Sequence, residues 1–125
     1  MLQPELAIGI GMRRGATAES IVAAVRDVAA DARIACLATI DRRAAEPGLT
    51  AAAKQLGVRV IAYTPAQLTE VAVPNPSDRT ALALGTASVC EAAALLAARS
   101  GELRIHKRKV AGITVAAAVI RRPAP

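Results

Sequence analysis

Three short apolar runs, separated by stretches patterned as helices, constrain this chain more than any other feature. They are Leu6-Ala7-Ile8-Gly9-Ile10, Ile34-Ala35-Cys36-Leu37-Ala38 and Val58-Arg59-Val60-Ile61-Ala62. Each is of strand length, and the second is apolar on both faces, as strands buried in a parallel sheet are. Between the first two, Thr17 offers an N-cap, and Ile21, Val22, Val25, Val28 and Ala29 recur at helical spacing, predicting a helix over 18–30. Between the second and third, Pro47 suits a first helical turn. Leu49, Ala52, Ala53 and Leu56 line one face, and Gly57 sits just past the end, predicting a second helix.

Beyond the third run, Thr64-Pro65-Ala66-Gln67 has the spacing of a capping box and predicts a short helix ending near Glu70. Pro74-Asn75-Pro76-Ser77-Asp78 is expected to be a loop, and residues 79–84 irregular or weakly helical. Ser88-Val89-Cys90-Glu91 repeats the capping pattern and opens an alanine-leucine helix to about Ala98, stopped by Ser100-Gly101. Residues 103–110 and 113–120 read as strands joined by a two-residue Ala111-Gly112 turn, and residues 121–125 as a frayed tail. Right-handed crossovers make the first three strands parallel, and the hairpin adds an antiparallel pair. The expected fold is a single α/β domain over residues 1–125: three-layer α/β/α, with a mixed sheet of three parallel strands plus a C-terminal β-hairpin.

Charge narrows the partners. The formal net charge is +6, which favours anions. Binding of single-stranded nucleic acid normally needs aromatic platforms, and the only aromatic residue is Tyr63. Nucleic acid is therefore a weak expectation, resting on charge alone, whereas a polycarboxylate or phosphorylated metabolite fits well. Cys36 and Cys90 lie in apolar surroundings, pointing to a reduced cytoplasmic protein. The N-terminus lacks the pattern of a signal peptide. The apolar stretch 110–120 falls far short of the ~20 residues of a membrane span. His106 is the only histidine, so no metal is expected, and no cofactor either. An oligomer is compatible with all of this.

Ligands of such sheets bind beyond the carboxyl ends of the strands. Gly9-Ile10-Gly11-Met12-Arg13-Arg14-Gly15 follows the first strand there. It is either an anion-binding loop or a tight turn with solvated arginines. Its G-x-G-x-x-x-G spacing is one residue longer than the dinucleotide fingerprint, and Asp41 falls where a ribose-binding acid would, so a nucleotide site is a rival. Thr39, Asp41, Arg42 and Arg43 follow the second strand. Glu46 precedes a helix start and is a weak catalytic candidate, as is Asp41. Gly85 and Ser88 open a second helix, with Glu91 as the reciprocal cap. Cys90 in its first turn is a nucleophile only if a base such as His106 is near. Arg104, His106, Lys107, Arg108 and Lys109 form the densest positive run, of which Lys107 is a candidate ligand contact. The expected ligand-binding set is Gly11, Met12, Arg13, Arg14, Gly15, Thr39, Asp41, Gly85, Ser88, Glu91 and Lys107.

These blocks resemble a known family. Gly9 to Gly15, Ala38-Thr39-Ile40-Asp41 with Glu46-Pro47-Gly48-Leu49, Ser88 to Leu95, and Lys107-Arg108-Lys109 with Gly112-Ile113-Thr114-Val115-Ala116 are similar, in order, to the motifs of the CobE and CbiG C-terminal-domain family of cobalamin biosynthesis. The resemblance implies a role in vitamin B12 synthesis with a precorrin-type tetrapyrrole, as carrier, chaperone or subunit of a pathway enzyme. It leaves open a catalytic role, lactone hydrolysis or rearrangement, for which Asp41, Glu46 and Cys90 are the available groups. Precorrins are flat rings fringed with carboxylates, which suits a rim of arginines. Met12 and Val89 are the candidates for an apolar platform beneath the ring.

Overall fold

The computed structural model describes residues 5–30, 32–69, 89–99 and 103–120. Strand β1 (Glu5–Gly11) leads to α1 (Ala18–Ala29) and β2 (Arg33–Ile40). A one-turn helix α2 (Asp41–Ala44) and then α3 (Pro47–Leu56) lead to β3 (Arg59–Tyr63). Helix α4 (Pro65–Thr69), helix α5 (Val89–Ala98) and the hairpin β4 (Leu103–Val110) and β5 (Ile113–Val119) follow. The sheet order is β3-β2-β1-β5-β4. β1, β2 and β3 are parallel, β5 runs antiparallel to β1, and β4 antiparallel to β5.

Helices cover both faces. Leu6, Ile8 and Ile10 of β1, with Leu37, Val115 and Ala117, meet Ile21, Val25 and Val28 of α1 and Leu49 and Ala52 of α3. On the other face, Ala7, Cys36, Ala116 and Ala118 meet Cys90, Ala94 and Ala98 of α5, and Ala38 and Ile40 meet Leu68 of α4. The expected three-layer mixed α/β architecture is what forms. The alanines explain how α5 lies so close to the sheet. A Cβ added to Gly9 would sit 1.7 Å from the Cys90 carbonyl oxygen, so only glycine fits beneath the helix there.

Local signals place the elements. Thr17 caps α1, accepting from Ser20 N at 3.1 Å. Thr64 and Gln67 form the full reciprocal box: Thr64 N donates to Gln67 Oε1 at 2.8 Å and Gln67 N to Thr64 Oγ1 at 3.1 Å. Ala111 (φ 53) and Gly112 (φ 81) both take positive φ, the two-residue turn whose twist suits a hairpin. Strand boundaries shift by a residue or two: β1 gains Glu5 and Gly11, β2 starts at Arg33 and continues through Thr39 and Ile40, β3 is displaced by one residue to Arg59–Tyr63, and β5 ends at Val119. The expectations for residues 74–78, 79–84, 100–101 and 121–125 lie outside the described residues. So do Gly85, Ser88 and the end of α4 at Glu70.

Candidate functional site

The parallel order brings the ends of β1, β2 and β3 to one rim of the sheet. Gly11 pairs with Thr114, so the hairpin turn arrives at the same rim. The turn after β1 carries Arg13 and Arg14, and the backbone of the strand end and of the turn is held on several sides. Thr39 Oγ1 donates to Ile10 O at 2.7 Å, Thr114 Oγ1 to Gly11 O at 3.0 Å, and Arg43 Nε to Met12 O at 3.3 Å. Gly15 N donates to Glu46 Oε1 at 2.9 Å, and Ala16 N closes the turn onto Arg13 O at 3.2 Å. The side chains of Arg13 and Arg14 are exposed and, among the described residues, have neither an ion pair nor a hydrogen bond.

Helix starts converge on this rim. A Cβ on Gly48 would lie 1.9 Å from Ala16 O, so glycine lets the first turn of α3 press against the entry to α1. On the opposite face, a hydrogen bond joins the Cys90 side chain to Thr114, the residue that also holds Gly11 O. The start of α5 and the arginine turn therefore lie toward the same rim, while Gly85 and Ser88 themselves are outside the described residues. The positive ends of α1, α3 and α5 reinforce a surface that already carries Arg13, Arg14, Arg42 and Arg43.

The sequence-predicted residues separate into two groups. Gly11, Met12, Arg13, Arg14, Gly15 and Asp41 lie at the rim. Asp41 is exposed and begins α2 immediately after β2. Met12 is half-buried against the α1–α3 core, which limits it as a platform. Thr39 and Glu91 fall in the other group: they are 1% and 0% exposed, and face the protein rather than a ligand. The Thr39 hydroxyl is committed to the backbone of β1. Glu91 Oε2 accepts from Lys107 N at 3.0 Å and lies 3.7 Å from His106 Nδ1, tying α5 to β4. Lys107 is half-buried on that edge strand, below the rim. Its neighbour Arg108 turns to the opposite face and pairs with Asp27 of α1 at 3.2 Å.

Burial also decides the cysteines. Removal from water pushes the Cys90 thiol up to about 12, against a smaller opposing pull from Thr114 and Lys107. Burial raises the Cys36 thiol too, Arg59 opposing. Neither is a thiolate near neutral pH, and Cys90 lacks the exposure of a nucleophile. Glu46 is engaged with Gly15 N, which leaves Asp41 as the only solvent-facing acid among the catalytic candidates. No group of three or more His, Cys, Asp or Glu that could hold a metal occurs among the described residues, and no described helix is long and apolar enough to cross a membrane. Sequence reasoning missed Thr114 and the role of Arg43. The signal for Thr114 is a lone hydroxyl residue in the otherwise apolar run 113–120.

Comparison with known proteins gives a consistent picture. Residues 6–118 match the protein family described as Cobalamin synthesis G C-terminus. The chain is 30% identical over 120 residues to the cobalt-precorrin-5A hydrolase of Priestia megaterium, covering 92% of this chain and 32% of that protein. It thus spans about a third of the hydrolase's length. It is 35% identical over 121 residues to protein CobE of a Sinorhizobium species, covering 90% of this chain and 79% of that protein. Among solved structures, the crystal structure of CobE, a protein from the cobalamin (vitamin B12) biosynthetic pathway, superposes with a TM-score of 0.75 at 28% identity. It covers 99% of this chain and 97% of that one.

Proposed function

This chain belongs to the cobalamin synthesis G C-terminal family and is a cobalamin biosynthesis protein, and from that premise we propose that it binds a precorrin-type tetrapyrrole at the rim above β1 and β2. It does so as a carrier, a chaperone or a subunit of a pathway enzyme. One observation carries this reading: two exposed arginines, without a side-chain partner among the described residues, stand on a turn bonded from α2 and the start of α3, at the end of a strand held from β2 and β5. Guanidinium groups match carboxylates in a planar, two-pronged way, and a precorrin presents many carboxylates around a flat ring. Gly11, Met12, Gly15 and Asp41 complete the proposed contact surface. The net charge of +6 draws such a ligand in from a distance.

Binding is better supported than catalysis. Hydrolysis of a precorrin lactone needs a general base or nucleophile at the ring's edge. Cys90 is buried and protonated, and Glu46 is bound to a backbone amide. Only Asp41 is placed for such a role.

The test is to mix pure protein with precorrin intermediates, pass the mixture through gel filtration and record visible spectra of the protein peak. Colour should comigrate with the wild type and be lost from Arg13→Ala/Arg14→Ala. Absence of comigrating colour with the wild type refutes the proposal. Turnover by the wild type that Asp41→Asn abolishes would move the assignment to catalysis.

A further inference from the structure

The bonds holding the arginine turn have a pattern that binding alone does not require. Arg43 Nε reaches Met12 O, the residue just before the arginine pair, and Glu46 Oε1 receives Gly15 N, the residue just after it. Both bonds span 31 residues, so the segment from Arg43 to Glu46 lies in step with Met12 to Gly15. One end of the turn offers an oxygen and meets a cation. The other offers an N–H and meets a carboxylate.

Glu46 is placed for this and not for its ordinary local use. It occupies the N-cap position of α3, yet makes no side-chain capping bond there. Among the described residues its side-chain bond is instead to the Gly15 amide, 31 residues away. Gly48, two residues on, lets the backbone of Ala16 come close enough for that bond. Arg43 is set by the single turn of α2, which follows β2 without a gap. The side chains in between, Arg13 and Arg14, are exposed and have no partner among the described residues.

We propose that Arg43 and Glu46 are positioning residues that preset Arg13 and Arg14 for a carboxylate-bearing ligand; this rests on the proposed ligand reading of the rim. A flexible turn would have to be ordered when ligand binds, at a cost in affinity, whereas a turn already fixed at both ends loses only the side-chain freedom of the arginines.

Glu46→Gln and Glu46→Ala separate this from a purely structural contact and from a charge effect. Gln keeps the accepting oxygen and removes the charge; Ala removes both. The probes are uroporphyrin, an octacarboxylate porphyrin, and a precorrin, titrated at fixed salt and followed by absorbance. Exchange of the Gly15 amide is followed by NMR without ligand. Glu46→Ala should weaken binding about fivefold, the worth of one hydrogen bond, and speed Gly15 exchange while leaving the amides of β1 unchanged. Glu46→Gln should stay within about twofold of wild type in both readouts, as an accepting oxygen is retained. Arg43→Ala should resemble Glu46→Ala. Equal binding by Glu46→Ala and wild type overturns the proposal. Tighter binding by both Glu46 variants also overturns it, because the carboxylate would then act only as a repelling charge. Failure of wild type to bind either probe refutes the ligand reading itself and the positioning role with it. In that case fast Gly15 exchange in Glu46→Ala marks the contact as structural only.

Discussion

Replacing Gly9 by alanine adds one methyl group at the closest approach of helix and sheet, and its effect is decided by two opposing magnitudes. Alanine in place of glycine restricts the unfolded chain and, where the backbone allows it, stabilises by ~0.4–1 kcal/mol. The backbone does allow it, since Gly9 is not among the residues with positive φ. The new Cβ, however, would lie 1.7 Å from Cys90 O, 2.7 Å from Cys90 C and 2.8 Å from Ala94 N. These are backbone atoms in a helix, so no rotamer change relieves the clash. To restore ordinary contact α5 must retreat by roughly 1.5 Å, given optimal separations of ~3.5–4.0 Å between carbons. Its partners across the gap are Ala7, Cys36, Ala116 and Ala118, too short to follow it. A gap of even ~0.5–1 Å forfeits a quarter to a half of each contact's attraction. The clash therefore wins, and we expect a net loss of about 3 kcal/mol, the upper part of the range for overpacking. For a chain of this length that is a fall in Tm of roughly 10 °C. Thermal unfolding followed by far-UV circular dichroism measures it. Lifting α5 also exposes Cys90, so its reaction with a disulfide reagent at pH 8 should accelerate. A variant that melts within about 2 °C of wild type, a shift well under 1 kcal/mol, with Cys90 still unreactive would refute the packing argument.

Three further outcomes are expected. Thr39→Val keeps the side chain's shape but removes the buried bond to Ile10 O, and should cost ~1–3 kcal/mol in urea unfolding. Ala111→Asn places a residue tolerant of left-handed backbone where alanine holds φ 53, and should raise stability by about 1 kcal/mol, measured the same way. The third concerns alkaline pH. Burial raises the Cys90 thiol from its ordinary 9.0 to about 12 in the folded protein. The unfolded chain therefore loses this proton first, so the contribution to stability is complete below pH 9 and is lost as pH rises toward 12. Cys90→Ala should flatten the decline in denaturation midpoint across that window, and an unchanged slope would contradict it.

The strands and most helices were legible because each signal is local. Thr64 and Gln67 are three residues apart and satisfy each other, and the Ala111-Gly112 turn fixes its own hairpin. The one-turn helix α2 was not legible: Asp41-Arg42-Arg43-Ala44 is too short to show a helical period. Thr39 was misjudged for a different reason. Its strand is apolar on both faces, so alternation could not say which way the hydroxyl points until β1 was placed beside it. The bond between Glu91 and β4 was not legible either, since the sequence spacing of Glu91 points only to a local role as the reciprocal cap of Ser88, which lies outside the described residues. Lys107 N on β4 is 16 residues away, and meeting it depends on the hairpin folding back beside α5. The rim's arginines were found from sequence and the groups that hold their turn were only partly found, for the same cause. Exposure follows from residue type, whereas contacts at a separation of 31 follow from topology.

The same topology explains how a chain with a single aromatic residue would recognise a large flat ring. Stacking on the ring's face needs aromatic area, and the single aromatic residue, Tyr63 at the end of β3, is half-buried against the cluster of Ala38, Ile40 and Leu68, while Met12 is turned partly into the core. What the rim does supply is fixed positive charge: two exposed guanidinium groups, the positive ends of three helices, and backbone held in place by hydroxyl and side-chain bonds. On the proposed reading, recognition is therefore of the fringe and not of the face. A protein built this way distinguishes ligands by the number and spacing of their carboxylates, and is indifferent to the oxidation level of the macrocycle or to a metal at its centre. Esterifying the carboxylates of the porphyrin probe should then abolish binding, while inserting a metal into the same octacarboxylate ring should leave it unchanged. The reverse pattern would mean that the ring's face is gripped after all, and that the arginines are bystanders.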